Sequence, residues 1–359
     1  MIIRICYFTE KGKETCEKLL NKRSDLVAVI RSKEENLTEW TKEGFEKHLP
    51  ILFIGACGIA VRTIAPFVKD KLEDSPVLVM DELGEYVIPI LSGHMGGANE
   101  WARLISKAMD ATPVITTATD VEKKFSVDVF AKENGLRIMN REGIRKVSSK
   151  ILKGEKVSVS IEKGIEITTD SLPQELNLVT DEDGFADIRI VTAKTPKTAK
   201  TASQTEPSIS TRSCPHEGIP STQSLLLTTK PYILGMGCRK GKTFEELKVF
   251  LEKHCPYDLK DCQGLATIDL KQKEIGLLEL ATYYHLPFFT FSAEELKEVK
   301  GDFTPSEFVA EVTGVSNVCE RSAMKVAGEA GELVLRKIAE DGMTLAIATK
   351  KPRIHTWNS

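Results

Sequence analysis

Five short apolar runs punctuate the first 130 residues of this 359-residue chain: Ile2 to Phe8, Leu26 to Ile30, Ile51 to Ile54, Val77 to Met80 and Val114 to Thr116. Each is nearly continuous and rich in β-branched side chains, the composition of a strand buried on both faces. Helical stretches separate them. Such strands alternating with helices specify a mainly parallel sheet covered on both sides, an α/β domain. At 359 residues the chain has material for more than one core, and the length favours two or three domains.

The rest of the chain divides by texture. We take residues 1–132 as the N-terminal α/β domain and 133–191 as a small strand-rich middle module. There, Lys156 to Ile161 and Ile165 to Thr168 alternate in period two across a Glu-Lys-Gly turn, which predicts a hairpin with one wet face. Asp187 to Val191 adds a third strand. Residues 192–224 hold seven threonines, six serines and four prolines, with little to bury, so 192–229 reads as a flexible linker. Residues 230–359 form a C-terminal α/β domain. Capping boxes at Thr243–Glu246, Ser292–Glu295 and Thr304–Glu307 open helices there. Gly301 and Gly314 suit helix ends. Leu333 to Ile338 and Met343 to Ala348, joined near Asp341-Gly342, read as a closing hairpin.

Chemistry is most concentrated in Leu91-Ser-Gly-His-Met-Gly-Gly-Ala-Asn-Glu100. The apolar run Tyr86 to Leu91 precedes it, and Trp101, Leu104, Ile105, Ala108 and Met109 follow at helical spacing. A strand, a glycine turn and a helix start together make a nest of backbone N–H groups that suits an anion. His94 at its lip exchanges a proton near neutral pH. Such turns also exist simply to let a strand and helix pack closely, and the local pattern weighs the two readings evenly. Gly55-Ala-Cys-Gly58 is a second turn of the same design, and in open α/β sheets such turns line up at the carboxyl ends of strands. Arg62, inside an apolar helical turn, faces a ligand or pairs with Asp81 or Asp120.

Downstream, Gly235-Met-Gly-Cys-Arg-Lys-Gly-Lys-Thr243 misses P-loop spacing, because Met236 stands where a glycine is needed. Arg239, Lys240 and Lys242 on that turn still suit carboxylates; the plain alternative is a solvated basic turn. Glu320 and Arg321 lie in a helix of small apolar residues, where a carboxylate is either ion-paired or held for proton work.

Net charge is −3, so nothing global calls for nucleic acid or an anionic membrane. No apolar run reaches the ~20 residues of a membrane span, and the N-terminus lacks signal-peptide flanks, so a cytoplasmic location is expected. The eight cysteines, at 6, 16, 57, 214, 238, 255, 262 and 319, include no Cys-x-x-Cys pair, so neither a protein-bound metal nor a disulfide framework is expected.

The ordered series Gly55 to Arg62, Ile64-Ala-Pro66, Asp81, Ser92 to Asn99 and Pro113 to Asp120 closely resembles the N-terminal part of the CbiG family. Gly235 to Gly241, Ile268 to Lys271 and Gly314 to Ala323 resemble that family's C-terminal part. The resemblance implies hydrolysis of cobalt-precorrin-5A in anaerobic cobalamin synthesis. Water opens a ring-A δ-lactone and a two-carbon unit leaves as acetaldehyde, giving cobalt-precorrin-5B. It also implies a polycarboxylated substrate that brings its own cobalt, no separate cofactor, and transient contact with other cobalamin-pathway enzymes. On this reading His94 and Glu320 are the proton-transfer candidates. Substrate contacts fall to Gly55, Gly58, Arg62, Ser92, Gly96, Gly97, Asn99, Asp120, Gly237, Arg239, Lys240 and Lys271, with the Gly96 and Gly97 amides on the oxyanion. Two alternatives remain: a non-catalytic tetrapyrrole carrier or scaffold, and an unrelated nucleotide-binding α/β enzyme.

Overall fold

The apolar runs of the N-terminal third pair into one six-stranded sheet, ordered β2-β1-β3-β4-β5-β6: β1 Ile2–Tyr7, β2 Val27–Ile30, β3 Ile51–Ile54, β4 Val77–Met80, β5 Tyr86–Leu91 and β6 Thr112–Pro113. This is a computed structural model. It describes residues 1–70, 73–94, 96–117, 124–168, 172–180, 185–193, 224–305 and 315–357. Strands β1 to β4 are parallel, and β3 and β4 are buried along their whole length. Helices Glu10–Lys22 and Ala98–Met109 bring Cys16, Leu19, Ala102 and Ile105 against Ile3, Ile5, Leu52 and Leu78 on one face. Helices Leu37–Glu46 and Cys57–Ile64 bring Trp40, Ala60 and Ile64 against Phe53, Val77 and Val79 on the other. Each such burial is worth roughly 1.5–3 kcal/mol, so the sandwich specifies the sheet.

One strand breaks the pattern. β5 runs antiparallel to β4, with Leu91 opposite Val77 and Val87 opposite Met80. A parallel crossover needs about a dozen residues or more, and only Asp81 to Glu85 separate these strands. Asp81 closes the short link by accepting the backbone N–H groups of Leu83, Glu85 and Tyr86 at 2.9, 3.0 and 2.6 Å. Strand β6 is parallel to β5.

The chain forms two compact units, one of residues 1–123, 231–254 and 262–351, the other of 124–230, 255–261 and 352–359. The second unit holds a five-stranded sheet, ordered β10-β8-β11-β12-β7, plus a short strand β9: β7 Leu136–Ile138, β8 Val157–Ile161, β9 Glu166–Ile167, β10 Leu176–Val179, β11 Ile188–Val191 and β12 Leu225–Thr229. All but β7 run parallel within the sheet. The expected hairpin is therefore absent. β8 lies between β10 and β11, while β9 pairs with Arg353–Ile354 near the C-terminus.

The limits read from sequence shift for the same reason, namely where apolar residues find a core. Phe130 and Trp357, from outside the expected middle module, stack at 5.2 Å between ring centroids within its core. The end of the expected linker is strand β12, and the part from 194 to 223 lies outside the described residues.

The first unit carries a third sheet, ordered β15-β14-β13-β17-β16: β13 Tyr232–Cys238, β14 Cys262–Ile268, β15 Phe288–Phe291, β16 Glu332–Glu340 and β17 Met343–Thr349. β13, β14 and β15 are parallel, and β16 and β17 form the expected hairpin through Asp341 and Gly342, at φ 48° and 75°. Helix Val318–Ala327 lies so close to β13 that a Cβ on Gly235 would fall 1.9 Å from the Cys319 carbonyl oxygen. Only glycine permits that approach. The Thr243 and Ser292 capping boxes are both formed. Glu307 and Gly314 lie outside the described residues. Ile2 of β1, Leu49 of the turn before β3 and Leu278 from helix Ile275–Tyr283 share a small core, beside which Lys47 bridges Glu43 and Glu279 at 3.0 and 3.3 Å.

Candidate active site

The turn after β5 is wound onto the start of its own helix. Ser92, Gly93 and His94 offer their carbonyls to the N–H groups of Ala98, Asn99 and Gly97 at 3.1, 2.9 and 3.0 Å. Gly97, at φ 84°, is the N-cap of Ala98–Met109. This corrects one expectation: the Gly97 N–H is taken up inside the turn and is not open to an oxyanion. The N–H groups of Gly93 and Gly96 have no acceptor among the described residues. Ser92 sits at φ 55° with its hydroxyl buried and without a partner among the described residues. A Cβ on Gly96 would lie 2.5 Å from the Ser92 Cβ, so the loop has no room for a methyl group there. His94 is half-buried at this turn.

Asn99, 3% exposed, ties the turn to the next loop: its amide donates to the Thr117 hydroxyl at 3.1 Å. Thr117 follows β6, and because β5 and β6 are parallel, both loops leave the sheet at one edge. Thr117 escaped the sequence reading as a site residue, although it lies inside the Pro113 to Asp120 stretch. Asp120 itself lies outside the described residues.

The Gly55 turn stands at the other edge. It follows the carboxyl end of β3, where the Gly55 N–H donates to the Met80 carbonyl at 2.8 Å. The Ser92 turn lies level with Val77, where β4 begins. The two turns are thus separated by the length of a four-residue strand, about 13 Å. The expectation that they line up at one set of strand ends is overturned by the direction of β5. Arg62 is likewise not buried. It is exposed, lies along its helix over the exposed Gly58, and has no carboxylate in ion-pair reach among the described residues. Asp81 is committed to its own turn.

In the third sheet, β13 lies between the parallel β14 and the antiparallel β17. Ligands of open α/β sheets favour strand carboxyl ends, and Gly237 to Lys242 lie at the carboxyl end of β13. Its cations are unequal. Lys242 pairs with Glu246 at 2.6 Å and Lys271 with Glu274 at 3.0 Å, and Glu274 also accepts the Gly241 N–H at 2.8 Å. Lys271 is therefore answered within the chain and not poised for a substrate carboxylate. Arg239 and Lys240 are exposed and have no acid partner among the described residues. Gly237 offers its carbonyl to Thr344 at 3.3 Å. Burial pushes the Cys238 thiol up to about 11, which keeps it protonated and removes it as a nucleophile.

Glu320 is a structural carboxylate. It is 0% exposed and accepts the Thr304 N–H and hydroxyl, both at 2.8 Å, and the Lys337 N–H at 2.7 Å. Three donors and no solvent face leave it no route to a substrate. Its burial was invisible in sequence because its donors lie 16 and 17 positions away. Among the described residues, no group of three or more His, Cys, Asp or Glu side chains is arranged to hold a metal, and no helix is long and apolar enough to cross a membrane.

Family models described as Cobalamin synthesis G N-terminal, Cobalamin biosynthesis central region and Cobalamin synthesis G C-terminus match residues 39–120, 125–207 and 232–348. The chain is 33% identical over 308 residues to a cobalt-precorrin-5A hydrolase from Priestia megaterium, covering 85% of this chain and 79% of that one. The chain belongs to the CbiG family. A cobalt-precorrin-5A hydrolase from Salmonella typhimurium is 30% identical over 311 residues, 85% of this CbiG chain and 83% of that relative. A solved cobalamin biosynthesis protein G homologue from Sulfolobus solfataricus aligns over 97% of this chain and 96% of its own, at 23% identity and a TM-score of 0.41.

Proposed function

We propose that this chain is a cobalt-precorrin-5A hydrolase of cobalamin biosynthesis and that its lactone is opened at the Ser92–Asn99 turn. The observation that carries the placement is the presence in one loop of half-buried His94 and of the Gly93 and Gly96 N–H groups, which have no acceptor among the described residues. Water attacks the ring-A lactone carbonyl, and the two amides receive the negative charge that develops on its oxygen. A well-placed donor of this kind lowers the barrier by roughly 3 kcal/mol. His94 takes the proton from water and returns it to the departing alkoxide. The freed hydroxyl then gives its proton to His94, which releases it to solvent, as the C–C bond breaks. Its oxygen becomes the carbonyl of acetaldehyde, and the bonding pair stays on the macrocycle, giving cobalt-precorrin-5B.

Asn99 and Thr117 hold the second loop against this turn, and Ser92 stands close behind it. Arg239 and Lys240 are our candidates for the acetate and propionate arms. Gly55, Gly58 and Arg62 belong to the opposite strand ends and are not part of this site. The cobalt arrives with the substrate, so no resident cofactor is invoked. The protein works in the cytoplasm, in transient contact with neighbouring pathway enzymes.

Supplying cobalt-precorrin-5A and trapping volatile aldehyde tests the assignment. Wild-type protein releases acetaldehyde, and His94→Ala binds the substrate yet releases almost none. Binding without release by the wild type would make the protein a carrier instead.

A further inference from the structure

The second unit carries a charged cavity that the reaction above leaves unused. Helix Arg141–Leu152 is amphipathic: Ile144, Val147 and Ile151 enter the core, and polar side chains cover the outer face. Residues 145, 149 and 153, and likewise 146 and 150, follow one another at four-residue spacing along one side. With Glu155, Phe185 and Asp187 they line an open cavity of about 570 Å³.

One part of the wall is fixed. Lys150 pairs with Asp187 at 2.6 Å, and Asp187 also accepts the Ser158 N–H at 3.0 Å. Arg145 and Lys153 have no acid partner among the described residues. Arg145 and Lys153 thus stand in this wall beside the Lys150–Asp187 pair, in a chain whose net charge is −3. Phe185 adds an apolar face that is 49% exposed.

We propose that this cavity binds a planar, polycarboxylated macrocycle, a class of ligand that rests on the substrate reading given above. Unpaired guanidinium and ammonium groups call for carboxylates or phosphates. A bare inorganic anion has no use for the Phe185 ring and is small beside a space in the range of organic-ligand pockets. A flat ring fringed with carboxylates uses both: its face lies on the aromatic side chain and its arms reach Arg145 and Lys153. The site gives the second unit a holding role for substrate or product.

Full-length protein is titrated with uroporphyrin, a metal-free tetrapyrrole octacarboxylate, followed by absorbance, and tripolyphosphate is used as competitor. Arg145→Glu with Lys153→Glu should weaken uroporphyrin binding by roughly tenfold or more, since each charge-assisted contact carries about that factor. Phe185→Ser should weaken uroporphyrin several-fold and leave tripolyphosphate binding unchanged. His94→Ala should leave this binding intact, and both surface variants should release acetaldehyde at the wild-type rate under saturating substrate. Wild-type affinity in the charge-reversed protein would overturn the site. Equal loss of both ligands in Phe185→Ser, or none, would overturn the macrocycle and leave a simple anion patch. Absent acetaldehyde release with uroporphyrin binding intact would instead count against the hydrolase reading alone.

Discussion

The Gly55 and Ser92 turns look alike in sequence and differ in almost everything that matters for chemistry. Both follow an apolar strand and open a helix through glycine. Yet the Gly55 turn ends a parallel strand, leaves Gly58 and Arg62 exposed, and presents a guanidinium on an open helix surface. The Ser92 turn ends an antiparallel strand, buries Ser92 and Asn99, and is locked to a second loop through Thr117. A short motif therefore fixes the local turn, while the direction of its strand decides which edge of the sheet receives it. Chemistry requires the second kind of environment, with a half-buried histidine beside preset donors.

The largest expected difference between the turns is catalytic. His94→Ala should lower acetaldehyde release by about 10²–10⁴-fold, the usual contribution of a general acid–base group, while Arg62→Ala stays within about twofold in the same assay. Equal losses would break the comparison. Next comes packing. Gly96→Ala forces a methyl group to within 2.5 Å of Ser92 Cβ and should cost about 1–3 kcal/mol in urea unfolding, with reduced turnover. Gly58→Ala, whose nearest atom would be 3.7 Å away on an exposed helix, should gain about 0.5–1 kcal/mol.

A smaller effect tests the link between the loops. Thr117→Val removes the hydrogen bond from the buried Asn99 amide to the Thr117 hydroxyl and should cost about 1 kcal/mol, and it should lower kcat more than it raises KM. Unchanged kcat would make that link purely structural. The smallest is Ser92→Gly, which relieves a left-handed backbone and should raise stability by about 1 kcal/mol. A simultaneous fall in turnover would show that the lone hydroxyl meets substrate.

Much of the first sheet was legible because its strands advertise burial on both faces, as Ile51–Ile54 and Val77–Met80 do. The direction of β5 was legible too, in the five residues between Met80 and Tyr86, but the glycine pattern drew attention to the turn and away from that link. The second unit was harder. Glu162-Lys163-Gly164 has the residues of a hairpin turn, whereas the partners of Val157–Ile161 come from residues 176–191. Local pattern carries no information about such distant pairing. At the site, His94 and the glycines stood out by type. Arg62 and Glu320 were misjudged because exposure and hydrogen-bond partners come from the tertiary structure: the arginine lies exposed on a surface, and the glutamate is enclosed by Thr304 and Lys337.

The central claim is that the reacting macrocycle sits at the edge where β5 and β6 end. A paramagnetic cobalt(II) corrinoid bound to ¹⁵N-labelled protein reports this directly, because the metal broadens amide signals close to it. The account predicts that the Gly93 and Gly96 amides broaden most while Gly55 and Gly58 stay sharp. Broadening centred on Gly55 and Gly58, with Gly93 and Gly96 unaffected, would contradict it.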